Sequence, residues 1–179
     1  MINDMAYILL SREQIAQKVK ELGKTITEDY RDKNPLLICI LKGSLVFCAD
    51  LMREIQIPVE IETMTASSYG AATVSSGVVN VVSKLDEKIA GRNVILVEDI
   101  IDSGRTLAFI KGDMMNKGVS SLKVCTLLDK PSRRVADIKP DYVGFEVPDE
   151  FVVGYGLDFD QKYRNFPEIG VLKPEVYEK

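Results

Sequence analysis

A chain of 179 residues, 46% apolar and 28% charged, is long enough for one soluble domain with a sizeable core and too short for two comfortable ones. Its net charge of -4 provides no basic field to hold nucleic acid or an anionic membrane, so neither is expected as a partner. Histidine is absent, which excludes Ser-His-Asp and Cys-His nucleophiles, histidine-ligated zinc and a histidine base, and leaves proton transfer to carboxylates, lysine, tyrosine or water.

No apolar run approaches the roughly 20 residues of a membrane span, and Met1-Ile2-Asn3-Asp4 lacks the basic start of a secretory signal, so a cytoplasmic protein is expected. Cys39, Cys48 and Cys125 are odd in number, form no Cys-x-x-Cys and sit among apolar neighbours, which suits reduced core residues.

Ala6 to Leu10 reads as a short strand. Ser11-x-x-Gln14 then opens a helix by a capping box, with Ile15, Val19, Leu22, Ile26 and Tyr30 on one face. Asn34-Pro35 ends that unit, and Leu36 to Leu41 is a strand with both faces apolar, as in a parallel sheet. Lys42-Gly43-Ser44 follows at its carboxyl end, before a helix carrying Leu45, Leu51, Met52 and Ile55. An ammonium and free N–H groups at such a turn can bind an anion; a merely solvated lysine is the competing reading.

Pro58 to Thr65 and Val78 to Lys84 read as paired strands, separated by a small, polar spacer from Ala66 to Gly77 whose only bulky residues are Tyr69 and Val74. The spacer is either a lid or a plain hairpin tip. Val94 to Val97 is a further doubly buried strand, and it stops at the adjacent carboxylates Glu98 and Asp99. Asp102-Ser103-Gly104-Arg105-Thr106 then forms a loop of small polar residues, and Leu107, Ile110 and Met114 recur with helical spacing. In an open α/β sheet such a loop lies in the ligand crevice, where helix N–H groups, two hydroxyls, a close-approach glycine and an arginine suit a terminal phosphate. Glu98 and Asp99 would repel that phosphate unless they met sugar hydroxyls or a Mg²⁺ shared with the ligand. An ordinary strand-to-helix turn with an acidic cap stands as the alternative.

Lys117-Gly118 ends the helix, and Ser121 to Asp129 is a strand closing on Lys130-Pro131-Ser132-Arg133-Arg134. Lys130 can donate to a carbonyl oxygen on a flat heterocycle, whereas Arg133 and Arg134 read as surface charge. Asp141 to Val147 is another strand. Beyond it Phe151 can stack on an aromatic base, although phenylalanine more often fills a core, and the backbone of Val152 can bond a base edge. Gly154-Tyr155-Gly156 lacks the third glycine and the helix of a dinucleotide fingerprint. Ile169 to Leu172 reads as a closing strand and Pro174 onward as a tail.

Residues 97–106, Val-Glu-Asp-Ile-Ile-Asp-Ser-Gly-Arg-Thr, resemble the phosphoribosyl-pyrophosphate motif of the type I phosphoribosyltransferases, and the double-acid form with Ile-Ile-Asp is similar to the hypoxanthine-guanine branch. Matching segments run in order from about Leu41 to Leu172. The resemblance implies an α/β fold with a central, mostly parallel twisted sheet flanked by helices. It also implies a small hood built from about 1–12 and 148–179, within one phosphoribosyltransferase domain over 1–179. The Ser-Tyr-Gly start at Ser68-Tyr69-Gly70 matches the family's mobile lid, placed here at about 66–77.

The implied reaction moves 5-phosphoribosyl from 5-phosphoribosyl 1-pyrophosphate to N9 of hypoxanthine or guanine, giving IMP or GMP and pyrophosphate, with Mg²⁺ as cofactor. By the same resemblance Lys42 and Gly43, after a cis Leu41–Lys42 peptide, and Arg164 hold pyrophosphate. Glu98 and Asp99 hold ribose and metal, Asp102 to Thr106 the 5′-phosphate, and Asp102 accepts a proton from purine N7. Lys130, Phe151, Val152 and Asp158 bind the purine, with Asp158 also near a second Mg²⁺ through water. Family members are commonly homodimers or homotetramers, so a homo-oligomer is expected. Two other readings stand against this one: a phosphoribosyl-fold ligand sensor, which needs Glu98 and Asp99 less than the loop, and a transferase for adenine or orotate, which the Lys130 and Phe151-to-Asp158 segments disfavour. A phosphate-loop kinase is disfavoured because its glycine-lysine signature is absent.

Overall fold

The computed structural model describes residues 1–68, 79–82 and 89–178. Its strands are β1 (Met5–Leu10), β2 (Pro35–Leu41), β3 (Glu60–Ser68), β4 (Val79–Val82), β5 (Asn93–Ile101), β6 (Ser121–Asp129), β7 (Tyr142–Glu146), β8 (Val152–Val153) and β9 (Ile169–Leu172). The helices are α1 (Arg12–Asp29), α2 (Leu45–Glu54), α3 (Arg105–Asn116) and the single turn α4 (Pro174–Tyr177). The main sheet runs β4-β3-β2-β5-β6-β7, parallel throughout except for β4 on its edge.

Alternation along the central strands explains why they are apolar on both faces. Leu37, Cys39, Ile95 and Val97 pack with Ile15, Val19, Leu22 and Ile26 of α1 and Phe47 and Leu51 of α2. Leu36, Ile38, Ile40, Val94 and Leu96 turn the other way, onto Leu107, Ile110 and Met114 of α3. Side chains two apart in a strand share a face, so each strand supplies both layers. All three cysteines are free and buried.

The chain passes from β2 outward to β3 and later returns to lay β5 on the other side of β2, which makes the β2–β5 boundary the topological switch point. There β2 pairs with β5 only as far as Cys39 against Val97. Past that register β5 stays with β6, through Glu98 against Thr126 and Ile101 against Asp129. Consequently β5 runs beyond the expected Val97, and Glu98 and Asp99 lie on a strand hydrogen-bonded along one side only. The helix also begins earlier than the apolar spacing predicts, so Arg105 and Thr106 are already helical.

A second, three-stranded sheet, β1-β9-β8, joins the two ends of the chain antiparallel. Met5, Val153, Tyr163, Phe166 and Leu172 form its core, with Phe159, Val176 and Tyr177 packed against them. The expected tail after Pro174 is thus a helical turn in contact with this sheet. On the other flank, β3 continues to Ser68 and pairs with β4, so the expected lid starts on a strand; residues 69–77, Tyr69 included, lie outside the described residues, as does the Ser68 side chain.

Where α1 crosses α2, Gly23 lies against Glu54: an added Cβ would come 2.5 Å from the Glu54 Cβ and 2.8 Å from its carbonyl oxygen. Alanine improves helix propensity by about 1 kcal/mol, but overpacking against backbone costs about 1–3 kcal/mol, so the clash wins. Gly23→Ala should therefore lower the melting temperature by several degrees, at about 2–4 °C per kcal/mol, and an unchanged or raised value would show that the helices can move apart freely.

Candidate active site

A cleft of about 430 Å³ opens where β2 and β5 part, walled by Lys42 and Gly43 after β2, Glu98 to Gly104 on and after β5, Thr106 of α3, and Asp158 and Arg164 from the hood. The helix start on its wall differs from that of α1. Ser11 and Gln14 complete a reciprocal capping box on α1, whereas no side chain caps α3 among the described residues. Gly104, at φ 76°, turns the chain into α3; the Arg105 N–H reaches the Ser103 hydroxyl only at 3.5 Å, and Ser103, Gly104 and Thr106 line the cleft at this helix start. Arg105 is exposed and contributes no side chain to the cleft wall, so its expected charge acts from outside.

The turn after β2 has a cis peptide between Leu41 and Lys42. Its Gly43 rests directly on Asp99: a Cβ there would come 1.6 Å from Asp99 Oδ2. Gly156 of the hood, at φ +106°, closes over the same turn, and its Cβ would lie 2.0 Å from the Gly43 carbonyl oxygen. Three segments are therefore stacked, the Asp99 side chain against Gly43 and the Gly43 backbone against Gly156, and a Cβ at either glycine would force a neighbour to move.

Glu98 and Asp99 share a hydrogen bond between their side chains. Burial, then the Asp99 charge, pushes Glu98 well above the usual carboxylate range. Burial also raises Asp99, opposed by hydrogen bonds from Glu98 and the Ile100 N–H (2.7 Å) and by the Arg164 charge. Both acids line the cleft and offer carboxylate oxygens, the ligand type a hard cation takes. No group of three or more potential metal-ligating side chains occurs among the described residues, so a hard ion here would take the remaining ligands from water or substrate. Asp158 lies in the same cleft but is otherwise engaged: Oδ1 is 2.7 Å from Arg164 Nη2, and Oδ2 accepts from the Gln161 N–H at 2.8 Å.

On the cationic side, Arg164 donates from Nη1 to the Gly156 carbonyl at 2.8 Å, while its buried Nε has no hydrogen-bond partner among the described residues. Gln161 was invisible to the sequence reading. Its Oε1 accepts long bonds from Lys42 Nζ (3.4 Å) and Arg164 Nη2 (3.5 Å), holding an amide oxygen between the two cations.

A second cleft of about 380 Å³ adjoins the first and contains Lys130, Arg133, Glu150, Phe151, Val152, Leu157 and Tyr177. Ile100, Asp102 and Asp158 line both. Lys130 is 5% exposed and donates to the Glu150 carbonyl at 2.6 Å; burial lowers its ammonium, partly offset by Asp102 and Asp149. Asp102 Oδ1 is sealed from solvent and accepts no hydrogen bond among the described residues, although Arg133 Nε is 3.1 Å away as an ion-pair partner. Arg134 is not the surface charge expected. It is mostly buried and donates to the Asp102 carbonyl (3.1 Å), the Ile138 carbonyl (2.6 Å) and the Asp129 carboxylate, which ties the 102–104 loop to the end of β6. Of the expected site residues, Arg105 stands outside both clefts, and the side chains of Ser68 and Tyr69 are outside the described residues.

Residues 7–160 match the model of the phosphoribosyl transferase domain family. The hypoxanthine-guanine phosphoribosyltransferase of Bacillus subtilis is 53% identical over 178 residues, covering 99% of each chain, and that of Streptococcus thermophilus (strain CNRZ 1066) is 52% identical over 98% of each. The crystal structure of a hypoxanthine phosphoribosyltransferase from Staphylococcus aureus superposes with a TM-score of 0.95 at 46% identity, over 100% of this chain and 97% of that one. With matches over nearly its whole length to proteins of one kind, the chain belongs to the phosphoribosyltransferase family.

Proposed function

We propose that this chain is a hypoxanthine-guanine phosphoribosyltransferase of purine salvage, moving 5-phosphoribosyl from 5-phosphoribosyl 1-pyrophosphate to N9 of hypoxanthine or guanine and releasing IMP or GMP and pyrophosphate. The observation that carries this reading is the pair of clefts sharing Ile100, Asp102 and Asp158, one rich in anion and cation ligands, the other offering a buried lysine and an aromatic ring. A reaction joining a charged sugar to a flat base needs two such pockets meeting at one wall.

In this reading the uncapped start of α3, with Ser103, Gly104 and Thr106, holds the 5′-phosphate, and Glu98 and Asp99 take the ribose hydroxyls. Lys42, Gly43 and Arg164 receive pyrophosphate, with the unpartnered Arg164 Nε as an available donor. Glu98 and Asp99 would also hold Mg²⁺, with Asp158 reaching a second ion through water. When bound, the metal supplies positive charge to the departing oxygens. Fixing the phosphate at one end and the base at the other leaves C1 over the base while oxocarbenium-like charge builds on the sugar. Asp102, at the wall both clefts share, takes the proton from purine N7. Lys130 donates to the 6-oxo group, which adenine's 6-amino group cannot accept. Phe151 stacks on the base, and the Val152 backbone meets its edge. The same reading makes the chain a cytoplasmic homodimer or homotetramer; among the described residues no helix is long and apolar enough to cross a membrane.

A base panel with 5-phosphoribosyl 1-pyrophosphate and Mg²⁺ tests the assignment: hypoxanthine and guanine should turn over and adenine and orotate should not, and orotate turnover without hypoxanthine turnover would overturn it. Asp102→Asn should retain IMP affinity while kcat falls by about 10²-fold or more, the usual share of a positioned proton acceptor; wild-type turnover would remove the role. For Glu98 the sign follows from its raised pKa. The folded protein holds a proton that the unfolded chain loses near pH 4.3 or so, hence this contribution to stability is present below that pH and is lost as pH rises through the higher native value. Without metal, Glu98→Gln should therefore flatten the decline in melting temperature as pH rises above the ordinary carboxylate range, where each kcal/mol is worth about 2–4 °C. Parallel curves for the two proteins would contradict the burial of that charge.

A further inference from the structure

Three rings meet at the second cleft. Phe151 is 38% exposed; Phe159 meets it edge-on, with centroids 5.6 Å apart at 90°, and Tyr177 lies along its face at 4.8 Å and 19°. Tyr177 is itself part of the cleft wall. It is carried by α4, whose entry is tied to the first residues of the chain: the Lys173 N–H donates to the Asp4 carbonyl at 3.0 Å and Lys173 Nζ to the Asn3 carbonyl at 2.8 Å. The strand leading into α4 also holds the Phe151 backbone, through the Leu172 N–H to the Phe151 carbonyl at 2.9 Å. The backbone and the ring of Phe151 are thus held by one segment, residues 172–177.

An exposed phenylalanine on a hood loop samples several ring orientations, and a base that stacks on it must stop that motion, at a cost in affinity. A second ring along one face removes the cost in advance, while the exposed part of Phe151 stays on the cleft wall for a flat ligand. We propose that Tyr177 is a positioning residue for the purine base, fixing the Phe151 ring so that its exposed part presents to the heterocycle. This rests on the reading of Phe151 as the stacking partner. Tyr177 acts through its ring; its hydroxyl is not required.

The test is steady-state kinetics on the full chain for Tyr177→Ala, Tyr177→Phe, Phe151→Ala and the double alanine variant, with hypoxanthine and 5-phosphoribosyl 1-pyrophosphate varied separately. Tyr177→Ala should raise KM for hypoxanthine about fivefold to tenfold, the scale of one aromatic pair, while KM for the sugar substrate and kcat change by less than about twofold. Tyr177→Phe should restore the wild-type KM, and adding Tyr177→Ala to Phe151→Ala should change little further, because the ring to be positioned has gone. A lower hypoxanthine KM in Tyr177→Ala would mean that the ring stands in the base's own place, and would overturn the proposal. Effects that add in the double variant, or equal losses for both substrates with a fallen melting temperature, would also overturn it. Failure of the stacking reading looks different: Phe151→Ala, with Tyr177 intact, would leave hypoxanthine KM unchanged, and the proposal would fall with it.

Discussion

The cleft depends on a contact that contains no side chain at all on two of its three levels. Asp99 lies under Gly43, and the Gly43 carbonyl lies under Gly156, so the end of β5, the turn after β2 and the hood loop are pressed together at distances that any Cβ would violate. This brings a carboxylate, the turn after β2 and the loop bearing Asp158 and Arg164 into one cavity. A methyl group at position 43 would need to displace Asp99, and a methyl group at 156 would push the hood off the sheet. The glycines are therefore a requirement of assembly here, and the site is built around them.

Everything else in the site follows from where β5 loses its partner. A central parallel strand is normally bonded on both sides, and its residues then serve the core. Here β2 withdraws after Cys39, and β5 continues with β6 alone through Glu98 to Ile101. Two acids can occupy such a strand because one side faces the cleft, yet there is too little water around them to keep both ionised at ordinary carboxylate values. The two acids share the cleft with the cationic wall formed by Lys42 and Arg164, where Gln161 holds an amide oxygen between the two cations. A ligand bearing both anionic oxygens and a divalent cation relieves both walls together.

The hood has a comparable logic on the apolar side. β1 and β9 close the two ends of the chain into one small sheet, and its core side chains run continuously into the rings beside the second cleft. Lys130 reaches that cleft from the carboxyl end of β6, nearly buried and held by the Glu150 carbonyl. The second cleft is thus made partly by the main sheet and partly by the hood, and Ile100, Asp102 and Asp158 stand at the seam with the first.

Much of this was legible in the amino-acid order. Doubly apolar runs at Leu36 to Leu41 and Val94 to Val97, a capping box at Ser11, and the 97–106 motif carry the parallel sheet, the first helix and the principal loop, because each is a local pattern whose physics acts within a few residues. What the pattern misjudged was the end of β5, where apolarity stops at Val97 but pairing does not: the strand is held by β6, a segment more than 20 residues away. Arg134, Gln161 and Tyr177 were passed over for the same reason. Each looks like an ordinary surface or tail residue until the loop at 102, the cation pair at 42 and 164, or the ring at 151 is brought beside it. Periodicity and motif are properties of neighbours in the chain, so the sequence alone determined the elements and the chemistry each carries; only tertiary packing, which sets distances between residues far apart in the chain, decided which of those chemistries meet.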